Sequence, residues 1–455
     1  MRSISPYALA LLVGVTALVA AMPSAHAVPG DPGPAASAAS SASSAPASSA
    51  TGRALPSPID ATNTCAACHS TLTDAKLRAP SKEFSSSVHR DDRIGCVGCH
   101  RGDARDPTAG AHSKAMGFRP HPTNAEVPGI CGNCHSDADF MRRLNGRLGV
   151  GQAALYSVSL HGRLTAAGDP MAPNCATCHG KHDILPPSSP KAPVNRANVA
   201  KLCSGCHADA KLMSTYDIAT DQFAKWQKSV HGEAFAKGNP NAPTCTGCHG
   251  AHASTPPDAA SVAHACGRCH QDEMGFFEQS VHSQGFRKRG IAQCVACHSN
   301  HDVAPASPQL VGTTSEAACM KCHSNDEKPR KVADDIAALL KGARDRAAEA
   351  RAAVARAKDL GLHVPGAAYS LQQVTTAELK VRGVVHTLDP ARVEASVSEI
   401  NSAVDTTLKQ VADAEKVRSL ERRDYFIALA LASLLFATLA LKAFELERRR
   451  RQVKP

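Results

Sequence analysis

Apolar side chains recur at steps of three and four residues in three runs near the C-terminal end of the chain. The runs begin at Val332, Leu371 and Val393. This spacing places the apolar positions on one face of an α-helix. Gly361 follows the first run, as is typical of a helix C-terminus, and Asp389 and Pro390 precede the third, as is typical of an N-terminus. We therefore predict that residues 329–424 form a helical hairpin or small bundle that acts as a stalk; a docking surface for a membrane partner is the alternative.

Two uncharged apolar stretches stand apart from these runs. The first extends from Ala8 to Met22, follows Arg2 and precedes Ala25-His26-Ala27. It predicts a secretory signal peptide over residues 1–27, with an uncleaved anchor as the alternative. Tyr425 to Leu441 is the second; as a helix it would span roughly 26 Å, enough for the hydrocarbon core of a bilayer.

The second stretch predicts a transmembrane helix over residues 425–444, with a buried core helix as the alternative. From Lys442 onward the chain has six basic and two acidic side chains, a net charge of +4. Because positive charge collects on the cytoplasmic side of membrane helices, residues 445–455 are expected to be a basic cytoplasmic tail. The region before the helix then lies in the periplasm, and the protein spans the inner membrane once.

The rest of the chain has weak periodicity. Residues 28–60 are mostly Ala, Ser, Pro and Gly, which predicts a flexible linker. Residues 61–328 contain few of the large side chains that build a core, since the whole chain has one Trp, five Tyr and eleven Phe. Short helices and extensive loops are therefore expected in this region, and another source of buried apolar surface is needed.

All eighteen cysteines fall into nine Cys-x-x-Cys-His motifs, all of them within residues 61–328. This motif is typical of c-type haem attachment, in which both thiols bond one haem and the histidine is the proximal iron ligand. A zinc site does not require a histidine after every cysteine pair, and nine redox-active dithiols in one chain are implausible. The attachment cysteines are Cys65, Cys68, Cys96, Cys99, Cys131, Cys134, Cys175, Cys178, Cys203, Cys206, Cys245, Cys248, Cys266, Cys269, Cys294, Cys297, Cys319 and Cys322. The proximal ligands are His69, His100, His135, His179, His207, His249, His270, His298 and His323.

The motifs therefore predict nine covalent haems and a mostly α-helical multihaem domain over residues 61–328. Its polypeptide wraps the porphyrins, which supply the missing apolar surface. The helical stalk and one C-terminal transmembrane helix follow. Without haem, this domain should be unfolded or nearly so.

A repeat of two motifs organises the haem region. In each repeat a Ser-x-His precedes the first motif, a further histidine follows it after three residues, and a second motif ends the repeat. The first copy lacks the histidine after the motif, and the motif at Cys65 stands alone. Each repeat is thus expected to supply distal ligands for its own two haems. These candidates are His89, His161, His182, His231, His252, His282 and His301.

A smaller pool of histidines is available for the remaining irons. His112, His121 and His264 are candidate distal ligands. His386 lies on an apolar helical segment, so we expect packing, with iron ligation as the alternative. Two histidine ligands fill the coordination sphere of iron and favour a low potential, which suits electron transfer and blocks substrate binding.

The formal charge of +10 does not describe the protein with its haems. The C-terminal tail accounts for part of it, and nine haems can add about eighteen negative propionates to the haem region. A neutral to acidic haem domain follows, and nucleic acid is not an expected partner.

The doubled motif with its upstream Ser-Val-His, as in Ser229 to His252, resembles the multihaem cytochromes c of the class III and tetrahaem type. The resemblance covers roughly residues 60–325. It implies electron transfer between quinol-oxidising membrane components and periplasmic cytochromes or terminal reductases, as in anaerobic respiration. Membrane-bound quinol dehydrogenases of this group usually have an N-terminal anchor, whereas the predicted anchor of this chain is C-terminal.

Two functions are compatible with this pattern. The first is a non-enzymatic conduit that takes electrons from the quinone pool through a membrane partner, such as a b-type cytochrome, and passes them to periplasmic or outer-membrane cytochromes. The second is a reductase of a nitrogen or sulfur oxyanion, such as nitrite, hydroxylamine or tetrathionate. A reductase needs one haem with an open iron position and groups that bind the anion and deliver protons.

Overall fold

The computed structural model describes residues 64–92, 94–258 and 261–452. The predicted signal peptide and the predicted linker lie outside these residues. Within them, the chain is mostly helical and has no β-strand, which confirms the mostly α-helical character of the expected fold.

Residues 64–298 form a succession of eighteen short helices joined by loops. In chain order, α1 to α9 are Thr64–Thr71, Ala75–Phe84, Val88–Asp91, Cys96–His100, Val127–His135, Ala138–Asn145, Gln152–Val158, Leu160–Ala166 and Cys175–His179. The next nine, α10 to α18, are Val199–His207, Ala210–Met213, Gln222–Lys228, Val230–Ala236, Cys245–His249, Val262–Gly267, Gln271–Glu278, Val281–Arg289 and Gln293–His298. Short 3₁₀ helices occur at Ala109–His112, Lys114–Met116, Ser214–Tyr216, Pro308–Leu310, Ala318–Lys321 and Val385–Thr387.

Three long helices follow the haem region. These are α19 (Glu327–Asp359), α20 (Pro365–Val384) and α21 (Pro390–Gln452). Gly361, at φ 74°, lies just after α19, and the Asp389 carboxylate accepts a hydrogen bond from the Ala391 N–H at 3.0 Å where α21 begins. Both helix boundaries agree with the sequence signals.

The three helices enclose an apolar core of their own. The buried side chains of this core, all but Val384 from the predicted stripes, are Ile336, Ala343, Ala347, Ala350, Val374, Val381, Val384, Val393, Val397, Ile400 and Val404. A second cluster around Val354 and Val411 closes the far end. An ion pair between Lys380 and Glu399, 2.7 Å apart, links α20 to α21 at the surface. We call residues 327–424 the bundle.

Helix α21 continues beyond the bundle into the apolar stretch. Among the described residues it is the one helix long and apolar enough to cross a membrane, with a mean hydropathy of 2.1 over its most apolar window. None of that window is buried against the rest of the protein. The geometry therefore does not support the alternative of a buried core helix.

Candidate haem-binding sites

The motifs lie on short helical segments that bring their cysteines and histidine together on adjacent turns. Helix α9 shows how one is fixed. The Asn174 side chain accepts hydrogen bonds from the Ala176 and Thr177 N–H groups, while the Thr177 hydroxyl accepts one from the Asn174 N–H at 3.2 Å. This reciprocal cap satisfies donors that the helix start would otherwise leave open. The last motif instead lies around the 3₁₀ helix Ala318–Lys321.

Each motif histidine faces one other histidine. The ring centroids in these nine pairs are 5.9 to 6.3 Å apart. With the motif histidine first, the pairs are His69 and His112, His100 and His182, His135 and His89, His179 and His252, His207 and His161, His249 and His301, His270 and His231, His298 and His386, and His323 and His282.

The separation of the rings fits an iron between them. Metal–imidazole bonds are about 2 Å long, so two imidazoles on opposite sides of one metal have ring centres about 6 Å apart. Directly packed rings also occur at about 4.5–7 Å, so the argument for an iron is the recurrence of nearly the same separation at all nine motif histidines. No cluster of three or more potential metal-ligating side chains is found among the described residues.

The pairs reveal how the repeats are connected. The histidine of each Ser-x-His faces the second motif of its own repeat, as His161 faces His207. The histidine after a first motif faces the first motif of the preceding repeat, as His252 faces His179. The expectation that each repeat supplies both distal histidines for its own haems therefore does not match the geometry. The repeats interlock.

Backbone geometry explains this crossing. The residue after each first-motif histidine has a positive φ, including Gly180 at 93° and Gly250 at 79°. Glycine adopts this conformation at no steric cost, and the chain turns sharply there. Val88 and Val230 are the middle residues of two of the Ser-x-His segments. The Val88 N–H donates to the Ile184 carbonyl of the following repeat, and the Val230 N–H donates to the Val303 carbonyl. Two of the three crossing segments, those of His182 and His301, are thereby held against the preceding repeat.

The repeated serine positions the upstream histidine. Ser87, Ser159 and Ser229 are each 1 % exposed and cap the short helix that carries the histidine. The Ser159 hydroxyl accepts a hydrogen bond from the Gly162 N–H at 2.9 Å. Ser280 occupies the same position with no capping hydrogen bond. The serine thus fixes the direction of the helix and of its histidine.

Several paired histidines use Nδ1 for a hydrogen bond within the protein. Nδ1 of His69 donates to the Leu77 carbonyl at 2.9 Å, and Nδ1 of His100 donates to the Arg119 carbonyl at 2.7 Å. His323 uses the Asp326 carboxylate at 3.0 Å. A hydrogen bond at Nδ1 leaves Nε2 as the ligand atom and fixes the ring orientation.

Burial favours the neutral form of many of these rings. It lowers the pKa of His89, and the nearby His135 lowers it further. Burial is also the main cause that lowers the pKa of His161 and of His231, and the histidine that each one faces lowers it further. Neutral imidazole is the form that binds iron, so the sites are prepared for ligation.

The motifs lie next to one another in chain order. The first cysteines of consecutive motifs share a side-chain hydrogen bond in four places, beginning with Cys65 and Cys96 and with Cys131 and Cys175. Cys203 pairs in the same way with Cys245, and Cys266 with Cys294. These thiols stand in for the thioether sulfurs of attached haems, and no disulfide joins the described cysteines. Haems held here would have their attachment edges close together.

Three residues differ from the ligand pool inferred from sequence. His121 and His264 are exposed and face none of the motif histidines, whereas His112 faces His69. His386, which we expected to have a packing role, faces His298. The sequence signal that could have identified His386 is the crossing pattern itself, because the last repeat has no following repeat to supply a histidine.

Comparison with known proteins supports the haem assignment. The family model of the doubled CXXCH motif matches residues 169–212 and 287–328. No curated protein and no solved structure matches the chain. The matched segments contain the paired motifs of two of the four repeats, and these motifs indicate covalently bound c-type haem in a protein similar to electron-transfer cytochromes.

Proposed function

We propose that this protein is a membrane-anchored electron conduit with nine c-type haems, each ligated by two histidines. The observation that carries the proposal is the complete set of nine histidine pairs, each with one motif histidine. Iron with both axial positions filled exchanges electrons without binding substrate. The residues that hold each haem are then the two motif cysteines and the histidine pair, and the haem supplies the one-electron chemistry.

The order of the motifs supports transfer along the chain. Hydrogen bonds between cysteines join the first eight motifs two by two, from Cys65 to Cys294. Electrostatic interactions between cysteines connect these pairs and reach the motif at Cys319, which is next to the bundle. In this proposal electrons enter at the membrane-proximal end and leave near the haem at Cys65, in the periplasm. The acceptors are periplasmic or outer-membrane cytochromes.

A membrane partner belongs to this proposal. The apolar stretch Tyr425 to Leu441 has no histidine, so it offers no axial ligand for a b-type haem of its own. A quinol-oxidising subunit such as a b-type cytochrome would supply the electrons. If so, a quinol should reduce the haems in native membranes, but it should reduce the purified protein much more slowly. Equal rates would contradict the need for a partner.

Low-temperature EPR of the fully oxidised holoprotein tests the conduit. We expect only low-spin signals that integrate to nine irons, with an intact mass that corresponds to nine haems. A high-spin signal equivalent to one iron would overturn the proposal, because it would reveal an open haem. The reductase alternative would then be tested with nitrite, hydroxylamine and tetrathionate.

A further inference from the structure

His386 lies outside the haem region, at the turn between the second and third helices of the bundle. The 3₁₀ helix Val385–Thr387 contains it, and the Thr387 hydroxyl donates to the Val384 carbonyl at 2.8 Å. Leu388 then takes a positive φ of 55° before α21 begins. The turn that presents His386 is therefore fixed by its own hydrogen bonds.

The ring of His386 is oriented as an iron ligand would be. Its Nδ1 donates to the Gly383 carbonyl at 3.0 Å, which leaves Nε2 available. Its centroid is 6.0 Å from that of His298, and the ring planes meet at 28°. The three pairs that cross between repeats have angles of 4° to 21°, whereas pairs within a repeat have angles of 35° to 59°. The angle of the His386 pair lies between these two groups, and its centroid separation matches both.

The bundle is held against the haem region beside this pair. Phe276, on α16, packs against the bundle core, and a methyl group at Gly383 would meet its ring at 3.1 Å. Arg392, on α21, donates to the Gln279 side-chain oxygen at 2.9 Å and lies 5.8 Å from the Phe276 ring centre. These contacts hold His386 in place opposite His298.

A packing role does not account for His386 as well as ligation does. Its side chain is only half-buried, and other side chains form the apolar cores of the bundle. The chain also needs a partner for His298, because the crossing pattern takes that partner from a following repeat and no repeat follows the last one. His386 occupies the position of this missing histidine.

We infer that His386 is the distal ligand of the haem held by Cys294 and Cys297, so that this haem fastens the membrane-anchored bundle to the haem region. The inference rests on the proposed function, since it requires the haems to have two histidine ligands. It assigns the bundle a direct part in haem binding rather than the role of a passive stalk. This haem would then be bonded to both parts of the protein.

The test uses the full-length holoprotein with the substitution His386→Ala. We expect nine haems by mass, but one of nine low-spin irons should become high-spin in the EPR spectrum. Added imidazole should restore the low-spin signal by filling the open position. The control is His363→Ala, which removes an exposed histidine from the loop between α19 and α20 and should leave nine low-spin irons.

A second variant guards against misfolding. His386→Met offers another iron ligand at the same place and should keep this iron low-spin while raising the potential of one haem. If His386→Ala retains nine low-spin irons, or if imidazole leaves its high-spin signal unchanged, the inference is wrong. Failure of the proposed function would appear separately, as a high-spin iron in the unsubstituted protein.

Hydrogen exchange provides the readout for docking. Loss of the ligand should speed exchange in α16 (Gln271–Glu278), which packs against the bundle, by at least several-fold relative to the His363→Ala control. Unchanged exchange in α16 alongside the high-spin signal would show that His386 ligates iron without fastening the bundle, and would overturn that part of the inference.

Discussion

The haem region and the bundle solve the same problem of stability in different ways. Both clusters of buried apolar side chains found in the described residues lie in the bundle, with their buried members between Ile336 and Val411. In the haem region the fully buried side chains include serines such as Ser87 and Ser159, and large ones such as Phe140 are scattered. The bundle encodes its core in its own sequence, whereas the haem region relies on a group that is added afterwards.

The largest test of this contrast is to prepare the full-length chain without haem attachment. We expect the bundle to remain helical, because its core is complete, while residues 64–326 lose almost all protection. Hydrogen exchange with limited proteolysis would locate the cleavage sites, and the holoprotein is the control. Strong protection of the haem region without haem would contradict the contrast.

A core substitution in the bundle should act on that region alone. Ile400 is fully buried between the three helices. Ile400→Ala should destabilise the bundle by about 2–5 kcal/mol through lost burial and the cavity left behind. Thermal unfolding followed by circular dichroism measures this effect, while the haem absorption spectrum should not change at temperatures where the bundle is folded. The control Leu379→Ala removes an exposed leucine and should have little effect.

In the haem region, a buried polar contact should matter more than an exposed one. Ser159→Ala removes the cap of the helix that carries His161, which should cost about 0.5–2 kcal/mol. The midpoint of a urea titration followed by low-spin haem absorption measures the loss. The control is Ser157→Ala, whose hydroxyl lies at the exposed end of α7. Equal midpoints for the two variants would argue against a positioning role for the repeated serine.

The bundle could be predicted from sequence more completely than the haem sites. Its apolar positions recur within one helix at a time, so a local pattern specified both the helices and the faces that are buried. The motif cysteines and histidines could be predicted equally well, because the attachment chemistry is encoded in five consecutive residues. The side chains that the haem region buries could not be predicted from a local sequence pattern.

The distal histidines show where local patterns stop. His161 and His282 face motifs of their own repeat, as expected, but His182, His252 and His301 cross to the preceding repeat. That crossing depends on a sharp turn after the first motif and on contacts between repeats, which no spacing records. His386 is even harder to predict from sequence, because its place opposite His298 depends on how the bundle docks on α16.

The smallest predicted effect concerns a polar contact within the second repeat. The Met171 N–H donates to the Asp169 carboxylate at 2.8 Å, and so does the Tyr216 hydroxyl. Both bonds lower the pKa of Asp169, and the bond from Met171 has the larger effect. Because the folded-state pKa lies below the unfolded value of about 3.9, this stabilisation is present above that pH and is lost as the pH falls through the folded-state pKa.

Tyr216→Phe removes one of the two donors and should lower the urea midpoint slightly at neutral pH. The difference from the unsubstituted protein should shrink as the pH falls below about 4, because the protonated carboxyl no longer gains from the bond. Tyr369→Phe, at an exposed tyrosine of the bundle, is the control and should show no such pH-dependent difference. A Tyr216→Phe difference that stays constant across this range would mean that the tyrosine acts through packing, and that the haem region depends less on polar contacts than its scattered apolar side chains indicate.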